Sequence, residues 1–554
     1  QTLTLGDAGT ANMDRTGVLM NNQAVTSAAT VSSTVDQAVY VSLSNTGTIP
    51  IQSSSVSLDG NQTTALARSN VASNTLTVDG NSINAGVATD ATVNTPAVGD
   101  VVAAYVLGSF QDNDAVVTAT TSQSLVEVDV LDTGASSSGG GVLDSTVSLA
   151  GNVSSATALA NSVVNAVSVG ANASNVDAAA ELFSSQDNSG TVTATGGSEV
   201  KISVGVTGGT TPTGINGSSV MLSGNVSASS ATGNQGQNSL TTSGANIVSG
   251  TTATNANVSS ATTPLTASGG NLVVNDQDNT GIINSTNTVN TVTIYSRTKD
   301  GAAAGSGAAA LGSTLGVTGN VTEARASANL ATNSSITIGG AGTASLDSTA
   351  LVMNLQTNGS AGTVDASAST ITTVSLDGTT TLFPSNTTIA LNTGTAMVQG
   401  NSTLALARGN VAQNTVVANG ANVTGGGSPA GLNSTAGVSG ALNASFGVFN
   451  GQSQAAAINA LSSGTNYKVD ATAGTRTSAS EGRALNGSSA TVSDNSINAS
   501  AFGNVATNRV TLASLSTAAN DASAAVFNRQ SNSGTITSQA TNAAIGSFST
   551  GGVV

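Results

Sequence analysis

At 554 residues the chain could hold several ordinary domains, yet only 7% of it is charged and 2% aromatic, and Cys, His and Trp are absent. That excludes thiol chemistry, histidine-based nucleophile–base pairs and the usual zinc sites. A net charge of −16, with only 12 scattered Lys and Arg, leaves no clustered basic face, so nucleic acid is not an expected partner.

Low charge and abundant Gly and Ser are also found in disordered chains. Here, however, 38% of residues are hydrophobic and Pro occurs only 6 times. Ala, Val and Thr dominate the non-polar share, which suits extended chain packed through small side chains. No apolar run reaches the ~18–20 residues of a membrane helix. One of the longest, VVAAYVLG (101–108), reads as a strand.

Along the chain, two sequence blocks alternate. Block B comes first, around Gln23, and recurs at Gln111, Gln186, Gln277, Gln356, Gln452 and Gln530. Four residues before each Gln stands Leu or Val (Leu19, Leu107, Leu182, Val273, Val352, Val448, Val526), and an Asn often follows at plus two. Phe183, Phe449 and Phe527 sit beside that apolar position.

Block A opens on Asn61 and recurs at Asn152, Asn225, Asn320, Asn401 and Asn495, with Gly before the Asn in five copies and Asp494 in the last. Nine residues on stand Asn70, Asn161, Asn234, Asn329, Asn410 and Asn504. Thirteen on stand Asn74, Asn165, Asn238, Asn333, Asn414 and Asn508. The fourth and sixth residues are small, as at Ala65 and Ala67 or Ser229 and Ala231.

The step from A to the next B alternates between long and short: 50, 34, 52, 36, 51, 35 residues. The long period is therefore two A–B pairs, giving one continuous array with approximate double units 1–220, 221–396 and 397–554.

Between the marks the chain alternates in twos, as in TLTVDG (75–80), KISVGV (201–206) and TVTIYS (291–296), which is strand periodicity. The Ala-rich stretches 301–312 and 454–464 read as short helices or loops. Strands this thin bury little alone, and stacking them places like on like. The expected fold is all-β: an elongated β-solenoid with Asn and Gln in amide ladders and Ala lining a thin core. The alternative is an array of β-sandwich domains.

Block A resembles the repeat of curlins, the subunits of bacterial surface amyloid fibres, at Gly400, Asn401, Ala405, Ala407 and Asn410. Block B is similar at Gln186, Asn188 and Gly190. The units here are longer and alternate in length, and Asn stands where curlins often have Gln. The chain also resembles, in general character, β-rich proteins that anchor adhesive holdfast material to bacterial surfaces. These resemblances imply an exported extracellular protein of fibres, biofilm or adhesion.

For chemistry there remain the carboxylate pairs Asp112 with Asp114 and Asp276 with Asp278. Residues two apart share one strand face and do not flank a glycosidic bond; turn roles fit them better. Asp276-Gln-Asp278-Asn-Thr280-Gly281 resembles the start of a calcium loop, but Asn287 stands at its twelfth position. No cofactor is expected. Asn61, Asn152, Asn225, Asn320 and Asn401 also open glycosylation sequons, for which a buried ladder leaves no room.

The stretch from Gln1 to Leu5 aligns with the stretch from Asn74 to Val78, so the chain is expected to start midway through block A with open strands at its ends. Pairing with a second copy or an anchor protein follows. The expected function is a non-catalytic structural one at the bacterial surface. The alternatives are a polysaccharide-binding or polysaccharide-cleaving β-helix and a calcium-dependent surface layer.

Overall fold

The structure is a computed structural model. It describes the chain except residues 8, 46–48, 86–90, 96–98, 123, 134–140, 171, 173, 207–212, 249–255, 260–264, 298–307, 379–388, 426–429, 435–439, 474–483, 515–520 and 551–554. The described chain winds as a parallel β-solenoid in which one A–B pair makes one turn, here called a level.

The block-A strands, from Thr2–Leu5 through Gln62–Val78 to Ser496–Ser514, form a seven-stranded sheet. The block-B strands, from Gly17–Val25 to Ala524–Asn532, form another of seven. A long sheet follows block B and counts 12 strands. At levels 3 and 4 its strand is continuous (Val192–Val206, Ile283–Arg297), while at the other levels it breaks in two, as at Thr30–Val35 and Ala38–Asn45. Three narrow sheets of six strands each turn the corners. Among the described residues every pairing between successive turns of the coil is parallel, and Thr2 pairs with Thr75 and Leu5 with Val78, as the sequence match implies. Parallel stacking of single turns rules out the sandwich array, whose sheets are antiparallel within each domain.

Successive levels are 91, 73, 95, 81 and 94 residues apart at the first Asn of block A. The alternation of long and short steps has one cause. Each long A-to-B gap carries an inserted β-hairpin: Ala91–Thr95 with Gly99–Ala103, Ala256–Ser259 with Leu265–Gly269, and Ala430–Ser434 with Gly440–Ala444. The three hairpins join edge to edge as a six-stranded antiparallel sheet, the ridge, lying along the block-B sheet.

A hairpin spans two strand spacings of ~4.8 Å, and each level climbs by one. A continuous ridge therefore needs a hairpin at every second level. The double period belongs to the ridge, not to the coil. The positions 220 and 396 fall within the strands Ser219–Ser223 and Thr395–Gln399, so the double units mark the repeat without cutting it.

Three apolar columns fill the lumen. One, lined by Ala65, Ala67, Ala156 and Ala158 against Val117, Ala119, Val192 and Ala194, joins block A to the long sheet. Alanines at plus four and plus six let these walls approach. Where Ser229 replaces Ala, the facing residue is Ser285, and their hydroxyls bond at 2.7 Å. The other two columns, rich in Val, Leu and Ile, fill the two ends of the cross-section. A fourth core lies outside, between the ridge and the block-B sheet, and includes Ala103, Val106, Phe183, Ala267, Leu272, Met353, Ala444 and Phe449.

Two expectations are corrected. The Ala-rich stretch 454–464 is not helical: it ends one strand, Phe446–Gln454, and continues in another, Ala457–Ser463. In the other stretch 308–311 is strand, and 301–307 lie outside the described residues. VVAAYVLG holds two strands, since the chain passes from ridge to coil at Ala104.

Candidate functional site

The interior amides form the most regular constellation in the molecule. In-register parallel strands place identical side chains one strand spacing apart, which suits a carboxamide that donates on one side and accepts on the other. Asn61 Nδ2 donates to Asn152 Oδ1, and the series runs on through Asn225, Asn320, Asn401 and Asn495 at 2.8–2.9 Å. Each Oδ1 of this series also accepts the backbone N–H of the preceding Asn, as Asn152 does from Asn61 at 3.0 Å. The second series, Asn70 through Asn161, Asn234, Asn329 and Asn410 to Asn504, repeats at 2.8–2.9 Å. The glutamine series runs in the opposite sense: Gln111 donates to Gln23, and each later Gln to the one before, up to Gln530 to Gln452, at 2.5–2.8 Å.

In the Asn70 and Gln23 series the second donor of the amide crosses the lumen, whereas in the Asn61 series it turns back to a corner carbonyl, as Asn152 does to that of Leu58. Gln23 donates to the Val71 carbonyl, Asn70 to that of Asp112, and Gln111 to that of Ser162. The relay continues block by block to Gln452 on Val505 and Asn504 on Ser531. Each amide of this relay thus grips the carbonyl one residue beyond the key amide of the next block. Blocks A and B keep fixed spacing because they face each other in this clamp.

The third asparagine series departs from expectation at Asn333. Asn74 donates to Asn165, Asn165 to Asn238, and Asn414 to Asn508. Between Ala331 and Ser334 the strand Val321–Gly339 carries a β-bulge, which aligns Ser334 with Asn238 and Asn414. The extra residue turns Asn333 outward, where it is exposed, and Asn238 donates to Asn275 instead. Ser334 Oγ and Asn414 Oδ1 are left buried without partners.

Two further ladders escaped the sequence reading. At Gln plus two, Asn113 donates to Asn188, Asn188 to Asn279, and Asn279 to Asn358. At Gln minus two, Asn275 donates to Asn354, Asn354 to Asn450, and Asn450 to Asn528. The signal for the first was the recurrent Asn after the Gln. The second is masked by Ser109 and Ser184 at two levels.

Glycine before block A is explained at the corner it turns. Gly60, Gly151, Gly224, Gly319 and Gly400 have φ between +63° and +71°, and Asp494 takes φ +56° in the sixth copy. The chain must enter each block-A strand through the left-handed region, which glycine adopts without steric cost.

The acids lie elsewhere, on the outer face of the block-B sheet. Asp112, Asp276 and Asp278 sit within strands, Tyr105–Asn113 and Asn271–Asn279, not in turns; Asp114 follows directly and accepts a hydrogen bond from Ser189 Oγ. Asp112, Asp187 and Asp278 stack in register across three levels. Burial, followed by the charge of Asp278 and of the other aspartates, pushes Asp187 up to about 6. Burial, then Asp278 and Asp187, pushes Asp276 up to about 7. Asn287, at the twelfth position of the calcium pattern, is fully buried and donates to the carbonyls of Ser227 and Glu323. Among the described residues no group of three or more acidic side chains is placed to hold a metal ion. The sequon asparagines Asn152, Asn225, Asn320 and Asn401 are at most 4% exposed.

No protein-family model, curated protein or solved structure matches the chain.

Proposed function

We propose that this chain is a non-catalytic structural protein of the bacterial cell surface, exported to form or anchor a fibre or adhesive layer, in the manner of curlins or holdfast anchors. The observation that supports it is the amide relay: interior polar groups are spent on hydrogen bonds along and across the axis, which suits a stiff rod bearing load. A side chain so engaged is not free to bind substrate.

The partner in this reading is a second copy, or an anchor protein continuing the stack. Level 7 presents Val526, Asn528 and Gln530 in the same rows where level 1 presents Leu19, Asn21 and Gln23, so apolar, Asn and Gln rows would each meet their like. Negative-stain micrographs and sedimentation of the purified chain test the assembly; rods or filaments whose length grows with concentration are expected. Attachment of cells lacking the protein tests the adhesive role. A chain that stays monomeric in all conditions, from cells whose attachment and surface fibres are unchanged by its loss, would remove the proposal.

A further inference from the structure

One buried titratable group stands apart from the amide relay. Glu181 lies at level 3 in the strand Ala180–Asn188, in the outward row Val18, Val106, Glu181, Leu272, Leu351, Gly447, Ala525. Val18 at level 1 is 37% exposed, whereas Val106, Glu181, Leu272 and Leu351 are 0% exposed. The ridge residues Ala103, Ala267 and Ala444 belong to the same outer core as this row's apolar members. Both carboxyl oxygens of Glu181 are buried with no hydrogen-bond partner.

The strand of Glu181 is flanked by Tyr105–Asn113 and Asn271–Asn279, backed by Val153–Val169 and Val226–Thr242, and overlain by the ridge strands Gly99–Ala103 and Ala256–Ser259. None of these carries Lys or Arg. Their titratable groups are Tyr105, turned into the lumen core, Asp100 on the ridge, and Asp112, Asp187, Asp276 and Asp278. Those four aspartates lie four to six residues further along the sheet, about 13–20 Å at strand rise. None of these strands offers a cation to offset a charge on Glu181.

The two overlying ridge strands belong to different hairpins. Among the described residues they pair at two positions, Val101 with Val258 and Val102 with Asn257. The first hairpin pairs at five positions, and the seam between the second and third hairpins at four. Glu181 therefore lies beneath the weakest seam of the ridge.

We propose that Glu181 is the release group of the ridge: protonated, it lies closed beneath the seam; ionised, it must reach water, and the seam between the first and second hairpins parts. Parting uncovers an apolar strip that includes Val106, Phe183, Leu272 and Val274. Burial raises the Glu181 pKa well above the carboxylate range. A raised acid favours the closed form most below the exposed Glu value of about 4.3, and that advantage is lost as pH rises toward the buried value. Between the two, the opening equilibrium grows up to tenfold per pH unit. This holds whatever the whole rod does at the cell surface.

Hydrogen exchange on the full chain between pH 4 and 9, corrected for the intrinsic rate, tests it. Protection at 99–103 and 256–259 is expected to fall by up to tenfold per unit over part of this range, while block-A amides stay constant. In Glu181→Leu, which copies Leu272 and Leu351, ridge protection is expected to be flat with pH. Should that variant fold poorly, Glu181→Gln also lacks the titration and must be flat. A flat wild type, or a slope that survives both substitutions, overturns the proposal.

Discussion

The lumen and the outer face beneath the ridge are both buried, but they tolerate variation differently. In the lumen the Gln row holds Gln at all seven levels, from Gln23 to Gln530. Three rows earlier on the strand, facing the ridge, the levels read Met20, Gly108, Phe183, Val274, Met353, Phe449 and Phe527. An amide column needs identity because each member is donor to one neighbour and acceptor to the other. An apolar column needs only volume, and it lets residues as different as Gly and Phe alternate.

The largest expected effect breaks the amide column at its middle. Gln277 donates to Gln186 Oε1 and accepts from Gln356 Nε2, both at 2.7 Å, at a fully buried site. Gln277→Leu strips Gln186 Oε1 of its donor and one Nε2 hydrogen of Gln356 of its acceptor, and is expected to cost about 4 kcal/mol, counting two buried groups at 1–3 kcal/mol each. Val274→Leu, three residues earlier on the outer face, is expected to cost less than about 1.5 kcal/mol. Denaturant midpoints of the two variants measure the contrast directly, and equal losses would refute it.

The outer face has its own sensitive point, in charge instead of register. With Asp276 raised to about 7, its ionisation penalises folding. The sign follows: the penalty is absent below about pH 4, grows as pH rises, and levels off above 7. Asp276→Leu, matching Leu355 at the next level, is therefore expected to stabilise at pH 8 and do little at pH 4. A difference of about 2 kcal/mol between the two pH values allows for screening at this half-buried site. Urea midpoints at both pH values provide the check.

Much of this was legible in the sequence, because identity is what the lumen demands. Fixed offsets among Asn61, Asn70 and Asn74 and around Gln23 located the solenoid and four of its ladders, one of them broken at Asn333. The alternating gaps were visible too, but their cause was not: the six ridge strands are short, and their pairing crosses between distant hairpins. Asn333 kept its spacing and still missed its ladder, since the spare residue of the bulge leaves no mark on a count from Asn320. The apolar rows of the outer face drift too freely to be read as rows at all. Nothing local marks Glu181 as buried, since its cover comes from the ridge strands Gly99–Ala103 and Ala256–Ser259.

A smaller effect concerns that lapse in the lumen. Ser334 stands where Asn238 and Asn414 call for an amide, and both Ser334 Oγ and Asn414 Oδ1 lack partners. Ser334→Asn is expected to accept from Asn238 and donate to Asn414, adding about 1 kcal/mol. A destabilised variant would mean that the bulge has closed the space and that volume, not hydrogen bonding, rules this row.

The smallest effect extends identity from side chains to backbone. Five of the six block-A corners carry Gly at φ near +65°, while Asp494 takes φ +56°. A Cβ built at Gly60, Gly151 or Gly224 meets nothing within 4 Å, so the preference for Gly there reflects backbone strain and not crowding. Asp494 also accepts a hydrogen bond from Gln399 Nε2 at 3.0 Å, an exposed contact of little weight. Relief of left-handed strain is worth about 1 kcal/mol, against a few tenths lost to the added freedom of the unfolded chain. Asp494→Gly is therefore expected to stabilise the last levels by about 0.5 kcal/mol, read as slower exchange of the 496–514 amides. The mirror change, Gly224→Ala, should cost about 1 kcal/mol at the middle of the rod. If both changes shift stability in the same direction, the corner row is not governed by backbone conformation, and the rule of identity stops at the amides.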